Sequence, residues 1–240
     1  MFKTKLKQLL QNILGFDNFL FLFSILTIRR LYMNKHEAEF VYFLSLLPED
    51  GTLLDVGANI GIMTVPLAKQ APNGHVYSFE PMPQNITAIK RIIAWYKLKN
   101  VTLFETALGS QPGELQMILP IINNVKMQGL SHVVGENDTD TGEFFTVPVK
   151  KLDDIPELQA AKKIAGIKID VENFEFEVLT GAKNLLLKHK PMIYCELWDN
   201  EKRQLTINYL QNEIGYTVKV YDGKQLVPYT NQNGINFFLV

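Results

Sequence analysis

From residue 52 onward, short apolar runs alternate with stretches whose apolar positions recur every three or four residues. Runs of the first kind read as buried strands, and those of the second kind as amphipathic helices. A strand over 52–56 leads through Gly57-Ala-Asn-Ile-Gly61 into a helix reaching about residue 70, with Pro66 kinking it or delaying its regular part. A strand over 75–79 follows, then a helix over 84–97 with Ile86, Ile89, Ile93 and Tyr96 on one face, then a strand over 101–105. The rhythm breaks over 110–150, where turn residues separate two short strands, 114–119 and 144–149, and 135–142 is too polar for anything but an exposed loop. Alternation resumes with a helix over 156–163, a strand over 166–171, one long helix over 174–190 stopped by Pro191, a strand over 192–197 and a helix over 202–214 closed by Gly215. Two strands, 216–221 and 235–240, end the chain, with Asp222-Gly223 starting the turn between them.

Strands that alternate with helices and then close antiparallel predict an α/β fold: a doubly wound, mostly parallel, seven-stranded Rossmann-like sheet. The expected organisation is a helical cap over 1–47 and a main domain over 48–240, with an inserted β segment at 110–150. Such sheets bind ligands beyond the carboxyl ends of their strands. Asp55, Glu80, Thr106, Asp170 and Glu196 all fall at or near such ends.

The first 45 residues read as helical, with Leu6, Leu9, Leu10, Ile13 and Leu14 drawing one apolar face. Residues 1–35 carry a net charge of +5, with Asp17 as the one acid, which leaves −6 for the remainder of a chain whose total is −1. The segment reads either as a cap lying on the main domain or as a basic, apolar surface resting on a membrane. Its ten-residue run, 19–28, is too short to span a bilayer, and Arg29-Arg30 lies on the wrong side for an export signal. The expectation is a cytoplasmic protein, with peripheral membrane contact through residues 1–35 as the alternative. In that compartment the glycosylation patterns at Asn85 and Asn137 are chance matches.

Composition narrows the chemistry. With 47% hydrophobic and 20% charged residues the 240-residue chain suits one large α/β domain, and near-neutral charge offers no field for nucleic acid. The single cysteine, Cys195, sits in an apolar run and is expected to be buried and inert, and it excludes a disulfide framework or a cysteine zinc site within the chain.

The loop after the first strand fails the dinucleotide fingerprint, because its glycines are spaced Gly57-x-x-x-Gly61 and an acid, Asp55, precedes them. Asp55 would repel a pyrophosphate but attract an ammonium. S-adenosylmethionine carries an ammonium, a carboxylate, a ribose and an adenine. Asp55 suits the ammonium, directly or through water. Backbone amides from Gly57 through Asn59 to Gly61 suit the carboxylate, Glu80 suits both ribose hydroxyls, and Thr106, Ala107 and Leu108 suit the adenine. The bland alternative is that Asp55 and Glu80 cap helices and the glycines only turn the chain.

Four stretches in order, Asp55-Val-Gly-Ala-Asn-Ile-Gly61, Phe79-Glu-Pro81, Lys151-Leu-Asp-Asp154 and Ile167-Lys-Ile-Asp-Val-Glu172, resemble the motif series of the FkbM family of S-adenosylmethionine-dependent methyltransferases. The resemblance covers about residues 50–240. It implies a class I methyltransferase fold, a cofactor site that includes Pro81, and, usually, O-methylation of a sugar or natural product. Where the family generally has glycine after the Val-Glu pair, this chain has Asn173, a residue that tolerates left-handed backbone better than most.

Lys168, Asp170 and Glu172 alternate along one strand and point to one side. A lysine in a buried strand requires an acid close by, and Asp170, Glu172 and Glu196 are the candidates. Asp170 is expected beside the methyl donor, where it would position the acceptor hydroxyl or take its proton, its pKa raised by crowding with Asp55 and Glu172. Alternatively Asp170 and Glu172 hold a hard divalent ion, or these charges only brace the sheet. Among the histidines, His75 and His189 suit structural roles and His36 lies near the variable start. His132, in the inserted segment, is the one placed to meet an acceptor as base or hydrogen-bond partner.

The reading is therefore an O-methyltransferase acting on a sugar, glycan or related small molecule, its specificity set by 110–150. Charge, and the lack of an Asn/Asp-Pro-Pro-aromatic motif after the fourth strand, count against nucleic-acid methylation. The intact Asp55, Gly57, Gly61, Glu80 and Asp170 count against a non-catalytic binding module.

Overall fold

The computed structural model describes residues 2–31, 33, 37–135 and 138–240. His36 and Asn137 lie outside the described residues.

One sheet forms the centre. Its parallel half consists of β1 (Thr52–Val56), β2 (His75–Phe79), β3 (Val101–Phe104), β9 (Ile164–Ile169) and β10 (Met192–Glu196). β13 (Asn236–Leu239), β11 (Val218–Tyr221) and β12 (Leu226–Pro228) extend it antiparallel, giving the order β12-β11-β13-β10-β9-β1-β2-β3. The sheet thus has eight strands, the expected seven plus the short edge strand β12. The chain moves outward from β1 to β3 and then crosses to β9 on the other side of β1. That crossing makes the β1/β9 boundary the switch point at which such sheets open a crevice.

Helices α4 (Thr64–Gln70), α5 (Pro83–Trp95), α6 (Pro156–Gln159), α7 (Glu175–Thr180), α8 (Lys183–His189) and α9 (Glu201–Tyr209) connect the strands. Pro66 falls in the first turn of α4, where its missing amide costs nothing, so regular helix starts only after Gly61. The helix expected over 174–190 is two, broken at Gly181-Ala182. A Cβ on Gly181 would lie 2.0 Å from the Gly109 carbonyl oxygen, so the chain leaves helical geometry where another loop presses on it. The second helix is capped from a distance: Asp153 accepts the Asn184 and Leu185 amides at 2.9 and 2.8 Å, which gives the 151–154 motif a structural role. The acids Glu175 and Glu177 open the pair and Lys188 and His189 close it, in keeping with the helix dipoles. α9 passes into a π turn, Leu210–Ile214, before Gly215.

The inserted segment is richer than two strands. β5 (Gly113–Ile122) and β8 (Gly142–Lys150) form a long hairpin, joined by β4 (Ala107–Leu108), β6 (Val125–Lys126) and β7 (His132–Val133) into a second sheet. It packs on the carboxyl edge of the main sheet through Met82, Ala107, Met117, Leu119 and Val147.

At the start of the chain, α2 (Phe16–Leu31) packs along α5, burying Ile25 and Ile28 against Val65 and Ile92. α3 (Ala38–Ser45) buries Phe40 and Phe43 against Tyr194 and Phe238 of the sheet. α1 (Phe2–Leu14) reaches over to β6. Among the described residues no single helix is long and apolar enough to cross a membrane; α1 and α2 reach that length and apolarity only as a pair bent by 119°.

Candidate active site

The glycine loop is set by two close approaches. Gly57 (φ +73°) lies where a Cβ would meet the Asp170 carbonyl oxygen at 1.9 Å, so the loops after β1 and β9 touch backbone to backbone. Gly61 (φ +82°) lets α5 pack closely, with Ile89 at 3.0 Å from a would-be Cβ. Asn59 sits between them with φ +49°, and its amide donates to Glu80 Oε2 at 2.8 Å. The first loop is thereby fastened to the acid that follows β2.

Two sequence expectations change here. The loop amides are already engaged: Gly57 and Ala58 donate to the Phe79 carbonyl, Asn59 to Glu80, and Gly61 to Ala58. They do not offer the row of free donors expected for a carboxylate. Glu80 is also largely satisfied, taking the Asn59 and Met82 amides and the Asn85 side chain (2.8, 2.9 and 3.1 Å). A carboxylate has about four acceptor positions, so Glu80 has room for one further donor rather than a bidentate diol. Burial pushes its pKa up to about 7 against the pull of those three donors.

Asp55 is fully buried and does not line the cleft. Its Oδ2 accepts the Thr64 hydroxyl at 2.5 Å, and its Oδ1 lies 3.6 Å from Lys168 Nζ. The register pairs Asp55 directly with Lys168 across β1 and β9. Lys168 donates to the Gly57 carbonyl at 2.8 Å and stands 3.7 Å from Asp170. The buried lysine thus finds its acid on the neighbouring strand as well as two residues on. Burial disfavours its charge, but Asp170 and Asp55, with Glu196, more than offset this and raise its pKa. Burial raises the pKa of Asp55 against the opposing pull of Lys168 and Thr64.

Past Asp170 the chain turns through two left-handed residues, Glu172 (φ +50°) and Asn173 (φ +70°). Asn173 adopts left-handed backbone, which asparagine tolerates better than most residues, and Asn200 and Lys202 hold it by hydrogen bonds to its side chain and carbonyl. The turn aims a half-buried Glu172 at the cleft, where burial first, then Asp170 and Glu175, push its pKa up to about 7. Glu196 at the end of β10 rises to about 8, from burial and then Asp170 and Glu172.

These groups surround three connected spaces. An inner cleft of about 700 Å³ is lined by Gly57, Asn59, Glu80, Pro81, Thr106, Ala107, Asp170 and Glu172 from the sequence-predicted set. Phe79, Met82, Asn85, Gln128, Ser131 and Phe174 join them, without having been singled out from the sequence. Thr106 spends its hydroxyl on the Ala107 and Pro148 carbonyls, bracing that wall. A second space of about 920 Å³ runs from Gly57, Asn59 and Asp170 beneath α1 and α2 to Lys7, Phe23 and Thr27. An outer bay of about 1330 Å³ meets the cleft at Glu172, Val133 and Phe174 and is lined by His132, Asp138, Asp140 and Lys202.

His132 stands in that bay and not at Asp170. Its Nδ1 lies 2.8 Å from the Leu130 carbonyl and its Nε2 2.7 Å from Asp138 Oδ2. Both neighbours are acceptors, so the ring carries two protons in this arrangement. Burial opposes this charge, but the Leu130 carbonyl, Asp138 and Asp140 outweigh it and raise the pKa. The geometry therefore suits a hydrogen-bond donor better than a base. Among the described residues, three potential metal ligands converge within 4.8 Å at His132, Asp138 and Asp140, and not at Asp170 with Glu172. Among the described residues the two other histidines are structural: His75 bonds Thr102 and His189 accepts the Ile164 amide. Cys195 is buried and its thiol pKa is raised by burial.

The fit of a polar ligand can be tested on the cleft itself. Asn59 Oδ1, Asn85 Oδ1 and Ser131 Oγ are buried without a hydrogen-bond partner, and all three residues line the 700 Å³ space. Unpaired buried polar atoms are costly, and three around one cleft match a ligand with several donors, such as an adenosine and an ammonium.

The family model for the FkbM methyltransferase domain matches residues 55–218. Curated relatives include Methyltransferase 1 of Beauveria bassiana, 24% identical over 209 residues that cover 78% of this chain and 84% of the relative. Methyltransferase sdnD of Sordaria araneosa is 24% identical over 220 residues, 78% of this chain and 85% of the relative. Among solved structures, Methyltransferase FkbM from Methylobacillus flagellatus overlays with a TM-score of 0.55 at 15% identity, covering 94% of this chain and 55% of that one. Fibrillarin from Aeropyrum pernix, solved with natively bound S-adenosyl-L-methionine, gives 0.51 at 12% identity, covering 88% and 76%. Both overlays bear out the class I, Rossmann-like fold, and the family match, which spans the glycine loop, Glu80 and the Asp170 turn, carries the rest: this chain belongs to the FkbM methyltransferase family.

Proposed function

We propose that this methyltransferase modifies a hydroxyl group of a sugar, glycan or related small polar molecule. The cofactor is S-adenosylmethionine, which supplies an activated methyl group when bound. Asn85 and Glu80 suit its ribose together, Glu80 through its one remaining acceptor position and Asn85 through its unpaired Oδ1. Asn59 suits the ammonium, Ala107 and Met82 frame the adenine, and Asp55 acts from behind by holding Lys168 and Thr64. The cofactor's carboxylate has an attractive partner in Lys7, a half-buried cation whose side-chain hydrogen bonds go to the neutral Gln128 and Met127.

The observation that carries the hydroxyl reading is a pair of acids on the cleft: Glu172 where cleft and bay meet, and Asp170 where the cleft meets the second space. A hydroxyl must give up its proton as its oxygen attacks, and a base works best with a pKa near the working pH. Glu172, raised to about 7, has that property, while Asp170, held by Lys168, is placed to orient the hydroxyl. The polar bay beyond, with Asp138 held by His132 and with Asp140 and Lys202 around it, suits a ligand with many hydroxyls.

Glu172 accepts a proton only when ionised, so the single-turnover rate rises with pH, reaches half its plateau near pH 7 and flattens above. Glu172→Gln removes the rise and lowers the plateau by about 10²-fold or more. A rise that survives this substitution assigns the base elsewhere. The hydroxyl reading is tested by incubating the enzyme with labelled methyl donor and fractionated cell extract. An alkali-stable methyl ether is expected. Label on an amine, or label released as methanol by base, contradicts it.

A further inference from the structure

α1 is an amphipathic helix turned inside out. Its apolar stripe, Leu6, Leu9, Leu10 and Ile13, faces solvent, with each side chain between 37% and 69% exposed. Its polar side faces the protein. Gln11 is buried and makes a two-way pairing with the backbone of Lys126, donating to its carbonyl at 3.0 Å and accepting its amide at 3.1 Å. One turn earlier, Lys7 donates to Gln128 at 3.3 Å. These bonds fix the rotation of the helix, so the exposed stripe is built in. The adjoining α2 buries one apolar face, Phe19, Leu20, Ile25, Ile28 and Leu31, and yet carries a second one outward. It buries Ser24, whose hydroxyl donates to the Ile60 carbonyl at 2.8 Å, while Leu22, Phe23 and Leu26 are exposed. A helix on a globular protein ordinarily turns a stripe like that of α1 toward the core.

We propose that this face seats the protein on the surface of an anionic lipid bilayer. Charge decides among possible occupants. Lys5, Arg29 and Arg30 are exposed on these two helices, and Asp17 is the only acid between residues 2 and 31. A second copy of the chain, meeting this face symmetrically, would bring the same cations against one another. An anionic bilayer offers acyl chains to the leucines and negative headgroups to the basic side chains, the combination that holds interfacial helices. The two helices also wall the space that leads to Gly57 and Asp170, so the docked face and the site share a wall. This goes beyond the proposed hydroxyl chemistry and does not depend on it.

The test is flotation of the full chain with phosphatidylcholine vesicles, with and without phosphatidylglycerol. Association is expected with the anionic vesicles, weakening with salt, and little with pure phosphatidylcholine. The double substitution Leu9→Asp with Ile13→Asp, on exposed positions outside the site, is expected to abolish flotation with melting temperature and S-adenosylhomocysteine binding unchanged. Replacing Lys5, Arg29 and Arg30 by glutamine lowers vesicle binding by roughly fivefold for each side chain removed. No flotation of the unmodified protein, or flotation that the double variant retains, overturns the proposal. So does a dimer in sedimentation velocity that the double variant splits, because a second copy would then cover the face.

Discussion

Gly57→Ala is expected to destabilise the protein by more than about 4 kcal/mol and to abolish measurable cofactor binding. Two penalties combine. The residue sits at φ +73°, a conformation that costs an L side chain roughly 1–2 kcal/mol. The added methyl would also lie 1.9 Å from the Asp170 carbonyl oxygen, a backbone atom that no side-chain rotation can move. Relief requires the loops after β1 and β9 to separate, and with them the walls of the cleft. A melting curve and a titration with S-adenosylhomocysteine read both effects, with a fall of about 10 °C expected. A variant that melts within about 2 °C of the parent and binds normally contradicts the close approach on which the site is built.

Asp170→Asn is the second large effect, and it separates chemistry from binding. The substitution keeps size and shape, leaves Lys168 its partner Asp55, and removes the charge where the inner cleft meets the second space. Methyl transfer, measured in single turnover with the acceptor found by label transfer, should fall by about 10²–10³-fold. Affinity for S-adenosylhomocysteine should stay within several-fold. A further signature distinguishes an active-site role from a merely structural one. Asp170 is the largest charge effect holding Glu172 up, second only to burial, so its loss moves the midpoint of the pH–rate curve below 7. Equal loss of rate and affinity with an unmoved midpoint would assign Asp170 to the cofactor instead.

The fold was legible because its signals are local and repeated. Apolar runs ending in Asp55, Glu80 and Asp170, each followed by a turn and a helical period, indicate parallel strands and align their carboxyl ends. What stayed hidden depends on partners distant in sequence. Lys168 needs an acid nearby, but only the register of β1 against β9 makes that acid Asp55. The break at Gly181 comes from Gly109, far back in the chain, so no helical period reveals it. The loop amides look free in the sequence and are taken by Phe79 and Glu80 in the fold. Periodicity drew the apolar stripe of α1 correctly but carried no information on which way it faces; that is set by Gln11 and Lys126, which the sequence holds far apart. Asn85 is the cleft residue whose signal was nearest to hand, five residues after Glu80 in the first turn of α5. The protonation of His132 follows from the Leu130 carbonyl and Asp138, whose positions only the folded loop fixes.

The central claim is that the cleft bounded by Gly57, Glu80 and Asp170 holds the methyl donor. Calorimetric titration of the intact chain with S-adenosylhomocysteine tests it most directly. Saturable one-to-one binding at submillimolar ligand, weakened at least tenfold by Asn85→Ala through loss of the unpaired Oδ1, is the expected result. No heat of binding in that range, or binding that Asn85→Ala leaves untouched, would contradict it.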